Sequence, residues 1–228
     1  MDASYPPFEY IDGGGSLVGF DVDLADELAH QLSASTNNQT EIQVQFVANL
    51  PYDGLYDALT ADRIDVVISA LYVDPTRMDN YAYSASYFNG GQVLVSTIVT
   101  PLIEDVQDLA GLNLAVEFGS EGDAVARTWI RRLESLTILS CQTAEEALTK
   151  VISGEADAAL VDHLSALAIS AQNSDLQIVG DPVTDEPYAI AVRRESRELL
   201  QAIERALEEM EGDGTLAEMR QRWFAPNP

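Results

Sequence analysis

Apolar and polar positions along the chain follow two periods, one near 3.6 residues and one near 2, and the two alternate in blocks. Leu17 to Phe20 precedes a helix-period stretch from Asp21 to Leu32. There Val22, Ala25, Leu28, Ala29 and Leu32 share one side, and the early acids complement the helix N-terminus. A polar loop over 33–40 follows, and Ile42, Val44 and Phe46 then alternate as a strand does. Tyr52-Asp53-Gly54 leads into a helix through Leu55, Ala58 and Leu59, and the run from Arg63 to Ser69, β-branched at its centre, returns as a buried strand. Tyr81 to Gly91 is aromatic and polar, Gln92 to Thr97 reads as a further strand, and Pro101 to Leu109 as a connection with a short helix.

The pattern then restarts. Leu112 to Val116 predicts a strand, followed by the loop Gly119-Ser120-Glu121-Gly122 and a helix through Arg132. Thr143 to Ile152 predicts a helix opened by a capping box of Thr143 and Glu146. Ala156 to Val161 reads as a strand, His163 to Gln172 as a helix and Ala189 to Val192 as a last strand. A helix from Glu195 to Glu211, a break at Gly212-Asp213-Gly214 and a helix carrying Leu216, Met219 and Trp223 close the pattern. The segments Ala58 to Val67 and Ala147 to Ala159 both run helix, turn, Asp and small apolar strand, a faint internal repeat. This alternation predicts an α/β architecture of two lobes, each with a mostly parallel sheet flanked by helices. Polar residues follow three strands, at Ser69 to Arg77, Glu117 to Gly122 and Asp162. In α/β sheets ligands lie beyond the carboxyl ends of strands, so a ligand cleft between the lobes is the expectation.

The chain has 228 residues, 46% of them hydrophobic, enough for one large domain or two lobes with a sizeable core. No apolar run approaches the ~20 residues of a membrane span, and no export signal stands before Met1-Asp2-Ala3-Ser4. Cys141 is the single cysteine, so an internal disulfide is excluded, and it reads as a buried structural thiol. Against 38 acids stand 12 bases, a net charge of −26. Such a surface repels nucleic acid and anionic lipid, which excludes both as partners. The acids are spread along the chain, so most of them read as solvated faces.

Candidate chemistry gathers at the strand ends. Asp74 reads as an N-cap and Pro75 as the first helical residue, which puts Arg77 in the first turn. A cation there is disfavoured by about 0.3–1 kcal/mol unless an anion joins it, and arginine holds a carboxylate or phosphate with two parallel hydrogen bonds. The alternative is a surface arginine paired with Asp74 or Asp79. Asp162 either accepts an ammonium group or caps the helix that follows. An arginine and a carboxylate on opposite sides of a cleft would suit the two ends of an amino acid. Tyr5 and Tyr52 either stack on a ligand or pack ordinarily, and Asp2 either meets a distal amine or amide or is an exposed acid. Glu117 and Glu121 lie near a helix start, where compensation of the helix dipole also accounts for them. His30 and His163 read as structural. With no phosphate loop, cysteine pair or metal-ligand spacing, no cofactor, metal or catalytic group is expected.

Seven stretches carry a more specific likeness: Tyr5-Pro6-Pro7-Phe8-Glu9-Tyr10, Gly19-Phe20-Asp21-Val22-Asp23-Leu24, Arg63 to Ile68, Gln92 to Val95, Asp108 to Gly111, Glu155 to Ala158, and Asp213-Gly214-Thr215 to Trp223-Phe224. In order and essentially end to end, they resemble the motifs of the polar amino-acid-binding proteins of ABC importers, bacterial extracellular solute-binding protein family 3. The resemblance implies the type II periplasmic-binding-protein fold, with residues 1–89 and 186–228 in one lobe and 90–185 in the other. It implies an extracytoplasmic, monomeric protein, not inserted in the membrane, that closes on an amino acid and delivers it to the membrane subunits of an ABC importer.

By the same resemblance, Arg77 matches the clamp on the ligand α-carboxylate and Asp162 the acceptor of the α-amino group. Tyr5 and Tyr52 match an aromatic pair around the side chain, and Asp2 an acid that meets a distal nitrogen. Ser69 and Ala70 match positions that offer mainly backbone groups, and Gly119, Ser120 and Glu121 the second-lobe loop at the carboxylate. Three positions depart from the family pattern: Tyr72 where relatives carry Thr or Ser, Glu121 where they carry Thr, Ser or Gly, and Glu117 in place of a neutral or basic residue. With Asp2 and Asp162 these acids outnumber Arg77, which favours a cationic or amide side chain on the ligand. Relatives have a strand before the Met1 position, so the first strand of the first lobe reads as missing. The alternatives are a ligand-sensing domain of a receptor or kinase, and an enzyme resembling cyclohexadienyl dehydratases. In the latter, Glu117 or Glu121 would be a buried general acid.

Overall fold

The computed structural model describes residues 1–35, 41–99 and 103–224, and most of the loop expected over 33–40 lies outside them. The chain sorts into two compact units, the first holding Met1–Phe88 and Pro187–Trp223, the second Asn89–Glu186.

The first unit opens with β1 (Ser4–Tyr5), β2 (Glu9–Ile11) and β3 (Leu17–Val18), a small antiparallel sheet in that order. The Asp12 carboxylate sets the β2–β3 turn by accepting the N–H groups of Gly14 and Ser16, each at 2.8 Å. Then comes α1 (Phe20–Ser35), which buries Val22, Leu24, Ala25, Leu28 and Ala29 as its 3.6-residue period requires. After it, α2 (Leu55–Thr60) is followed by β4 (Val66–Val67) and β5 (Tyr81–Asn89).

In the second unit β6 (Gln92–Thr97), β7 (Asn113–Glu117), α3 (Glu121–Trp129), β8 (Thr137–Cys141), α4 (Ala144–Ser153), β9 (Ala158–Asp162), α5 (His163–Ser170) and β10 (Leu176–Val179) follow one another. They build a five-stranded sheet in the order β10-β6-β9-β7-β8. Both faces of this sheet are covered. Val93, Val95, Ala159 and Val161 face one core with Leu148 and Val151. Leu94, Ala158 and Leu160 face the other with Leu114 and Val116. Strand side chains alternate between faces, so two covered faces require unbroken apolar runs such as Ala158 to Val161. Cys141 is buried in the first of these cores. The chain then returns to the first unit as β11 (Pro187–Arg193), α6 (Arg197–Asp213) and α7 (Thr215–Phe224), and β11 lies between β4 and β5.

The sheets differ from the mostly parallel ones expected. β7 runs parallel to β8 and β9, but β6 is antiparallel to β9 and β10, and β11 is antiparallel to β4. Parallel pairing needs a long crossover such as α3 or α4 supplies. β6 and β11 begin where the chain changes units, and no helix feeds them. The strand expected at Ile42, Val44 and Phe46 forms no ladder; Val47 O accepts the Met1 amino group at 3.0 Å. Alternation specifies a two-faced segment, and the partner strand has to come from elsewhere. The strand expected over Arg63 to Ser69 pairs only at Val66 and Val67.

Candidate functional site

The buried run Ile68-Ser69-Ala70-Leu71 leaves β4, and Ala70 adopts a φ of +41°, in the left-handed region that a Cβ disfavours. Hydrogen bonds hold it there. The Ala70 N–H donates to Asp21 Oδ2 at 2.7 Å, and the Ser69 hydroxyl donates to Glu9 Oε1 at 2.6 Å while accepting the Asp2 N–H at 3.0 Å. Asp2 in turn accepts the Tyr52 N–H at 2.9 Å and the Ser4 hydroxyl at 2.7 Å. Its carboxylate therefore ties the Tyr52 turn to the first residues of the chain.

Three tyrosines stand half open beside this run, with Tyr5, Tyr52 and Tyr72 exposed at 40%, 39% and 45%. Tyr5 stacks on Phe8 with centroids 5.8 Å apart, and Tyr72 meets Tyr188 edge-on at 4.9 Å. Tyr188 is buried, and burial pushes its phenol well above the ordinary range, reinforced by hydrogen bonds to Tyr72 and Tyr5. Burial also raises Tyr52, whose hydroxyl hydrogen-bonds with the Tyr72 backbone. The structure thus joins Asp2, Tyr5, Tyr52, Ser69, Ala70 and Tyr72 into one connected set.

Arg77 is placed differently from expectation. Asp74 does cap Pro75, accepting the Thr76 N–H at 2.9 Å, but the helix is a single 3-10 turn, Pro75–Arg77, with Arg77 as its last residue. The penalty argued from an α-helical first turn therefore does not apply. Arg77 Nε lies 3.0 Å from Asp74 Oδ2, both side chains partly exposed, and its guanidinium sits 4.3 Å over the Tyr56 ring. The Thr76 hydroxyl and N–H, with Arg77, hold the Asp74 carboxyl below its usual range.

In the second unit, Glu117 ends β7 and Asp162 ends β9, and these strands are parallel neighbours. Their carboxyl ends lead into the starts of α3 and α5. Ser120 caps α3, its hydroxyl accepting the Asp123 N–H at 3.1 Å and donating to Glu117 O at 2.8 Å. Gly119, at a φ of +80°, donates its N–H to Asp123 Oδ2 at 3.1 Å, and Asp123 also pairs with Arg127 at 2.8 Å. Glu121 is exposed and Glu117 half-buried. Asp162 caps α5, with Oδ1 accepting the Ser165 N–H at 2.8 Å. Across the ladder from Asp162 lies Gln92, buried, with an Oε1 that has no hydrogen-bond partner among the described residues. His163 sets Nδ1 2.7 Å from Asn89 O, and His30 lies 3.5 Å from Glu27. Among the described residues no three His, Cys, Asp or Glu side chains are grouped to hold a metal ion.

Sequence reasoning missed Glu9, Asp21, Gln92 and Tyr188. Asp21 did leave a trace, because it falls in register with Ala25, Leu28 and Leu32 at helical spacing. An acid on the apolar face of a helix announces a buried acid. The other three carried no comparable signal.

The family model of bacterial extracellular solute-binding proteins, family 3, matches residues 1–226. The L-cystine-binding protein TcyJ of Escherichia coli K12 is 29% identical over 229 residues, 98% of this chain and 80% of that protein. The arginine-binding extracellular protein ArtP of Bacillus subtilis strain 168 is 30% identical over 229 residues, 97% of this chain and 83% of that protein. Among solved structures, the L-cystine solute receptor of Neisseria gonorrhoeae in its unliganded open conformation matches at a TM-score of 0.82 and 25% identity, covering 99% of this chain and 91% of that one. The α/β, two-lobed type II fold expected from the sequence is the fold of these neighbours. No helix among the described residues is long and apolar enough to cross a membrane.

Proposed function

The chain belongs to the bacterial extracellular solute-binding proteins, family 3, and on that premise we propose that it captures an amino acid outside the cytoplasm, by closure of its two lobes, and delivers it to the membrane subunits of an ABC importer. The favoured ligand has a cationic or amide side chain. One observation carries this choice: three half-open tyrosine rings stand in one hydrogen-bonded set with the Asp2 carboxylate. Aromatic faces and a carboxylate attract a cation together, and neither favours a second carboxylate.

In this reading Arg77 receives the ligand α-carboxylate. Its bond to Asp74 joins partly exposed groups, and such pairs are worth only about 0–1 kcal/mol, so exchanging Asp74 for a ligand is cheap. Asp162 receives the α-ammonium through Oδ2, since Oδ1 serves the cap. Tyr5 and Tyr52 enclose the side chain, the Tyr72 phenol lies toward the α-amino group, and Ser69, Ala70, Gly119 and Ser120 line the ligand. Glu117 and Glu121 add negative charge on the second lobe. The relatives are named as binding proteins, and no reaction is proposed.

Calorimetry with L-arginine, L-lysine, L-glutamine and L-glutamate tests the reading. Tight binding of at least one of the first three is expected. Tight glutamate binding with none of the others would overturn the ligand class. Arg77→Ala should cost about 2–5 kcal/mol of binding free energy, as loss of one partner of a desolvated charge pair does. Unchanged affinity in that variant would remove Arg77 from the carboxylate.

A further inference from the structure

Two carboxyl groups lie wholly inside the first unit and belong to no candidate ligand contact: Glu9 of β2, 1% exposed, and Asp21 in the first turn of α1, 0% exposed. The hydrogen bonds around them fix where the protons are. Ser69 Oγ accepts the Asp2 N–H at 3.0 Å, and its own proton goes to Glu9 Oε1 at 2.6 Å. That oxygen is therefore an acceptor. Asp21 Oδ2 takes two donors, the Ala70 N–H at 2.7 Å and the Tyr87 hydroxyl at 3.0 Å, as an ionised carboxylate does. The two remaining oxygens, Glu9 Oε2 and Asp21 Oδ1, are buried and have no hydrogen-bond partner among the described residues. The two carboxyl groups are close enough to act on each other's ionisation. A single proton on Glu9 Oε2 would give Asp21 Oδ1 a donor and leave Asp21 ionised. With two negative charges in contact inside the protein the arrangement would repel itself, and with two protons Asp21 would lose acceptor strength toward Ala70. The other titratable groups acting on the pair or acted on by it are the Met1 amino group, Tyr52 and Tyr87.

Ser69 and Ala70 are consecutive, so the two carboxyls grip both sides of one peptide unit. They reach it from different elements, one from β2 and one from α1. We propose that Glu9 and Asp21 form a buried acid–carboxylate pair sharing one proton, and act as positioning residues that fix the Ser69–Ala70 turn, the strand end that lines the amino acid. The last clause rests on the function proposed above; the pair and the turn do not. A turn held in this way offers its backbone groups to a ligand without reorganisation, which lowers the entropic cost of binding.

The test uses the full chain, mostly without ligand. Glu9→Gln keeps one donor and one acceptor in the same places, whereas Asp21→Asn turns a pure acceptor into a group with two donors. Carbon-13 NMR of the side-chain carboxyls at neutral pH should show one acid-form carboxyl in the wild type, absent from Glu9→Gln. Amide exchange at Ala70 should stay slow in the wild type and in Glu9→Gln, and become faster by on the order of tenfold or more in Asp21→Asn, as loss of a charge-assisted hydrogen bond implies. If Asp21→Asn does not fold, the wild type and Glu9→Gln decide the matter by themselves. Two ionised carboxyls at neutral pH, or fast exchange at Ala70 in Glu9→Gln, would overturn the pair. Unchanged exchange in Asp21→Asn would overturn its hold on the turn. Calorimetry with L-arginine is read separately: Glu9→Gln should stay within about threefold of the wild type, and Asp21→Asn should weaken by about tenfold. Failure of the wild type to bind arginine, lysine and glutamine alike counts against the ligand class, while amide exchange still judges the pair.

Discussion

Burial pushes the Glu9 carboxyl well above its ordinary range, repulsion from Asp21 adds to the rise, and the Ser69 hydrogen bond opposes it. Folding stability follows from that shift. Below the ordinary carboxyl value of 4.5 the folded and unfolded chains both hold the proton, and the contribution is complete. Above it the unfolded chain has released a proton that the folded chain keeps, and stability falls as pH rises until the folded group also lets go. Urea unfolding of wild type and Glu9→Gln across this window should therefore give a difference that moves steadily against the wild type as pH rises. Parallel curves would show that Glu9 carries no extra proton. At this scale the sequence was legible where a residue's role is local. Asp74 as a cap and Cys141 as a buried thiol needed only their neighbours. Asp162 was left between capping and ligand binding, and its cap to Ser165 is one of the two. Asp2 was not legible, because its partners at positions 52 and 69 lie far along the chain.

Elements whose burial follows one period were readable, and those fixed by pairing were not. α1, α4, α6 and α7 each show an apolar stripe that the core then covers. β1, β3 and β10 are two to four residues long, too short for a period-2 pattern to stand out. The capping box at α4 shows the limit of such reading. Thr143 accepts the Glu146 N–H at 3.1 Å as expected, but the Glu146 carboxylate takes the N–H of Gln142, one residue earlier, at 2.7 Å. α3 supplies a sharper case. A Cβ on Gly122 would lie 2.8 Å from the Leu160 carbonyl oxygen and 2.7 Å from Gln92 Oε1. The glycine therefore sets how closely α3 approaches β9 and β6. Gly122→Ala should lower stability by about 1–3 kcal/mol, the usual cost of overpacking, seen as a lower urea midpoint with unchanged slope. An unchanged midpoint would mean that α3 can withdraw freely.

For the whole molecule the governing quantity is the net charge of −26, with only 12 basic side chains to oppose 38 acids. Most basic side chains that pair do so near the surface, as Lys150 does with Glu155 at 2.9 Å and Arg222 with Asp23 at 3.0 Å. Pairs of this kind contribute little, so self-repulsion among the remaining acids dominates the long-range electrostatics. Added salt shortens the Debye length to about 10 Å at 0.1 M and about 3 Å at 1 M. The melting temperature should therefore climb with sodium chloride from low concentration to about 1 M. A flat or falling curve would show that the acids are neutralised by some other means.

The sequence by itself determined the family, the α/β class and the residue types available for binding, because periodicity and motif order are local properties read along the chain. Tertiary structure decided which strands run antiparallel, which oxygen of Asp162 is already engaged, and that Arg77 ends a single turn against Asp74 and Tyr56. It also brought Glu9 and Asp21 under Ser69 and Ala70, from positions 60 and 49 residues away. A sequence period states which side of an element is buried. It does not name the atom on the other side, and hydrogen bonds in a core are made between atoms.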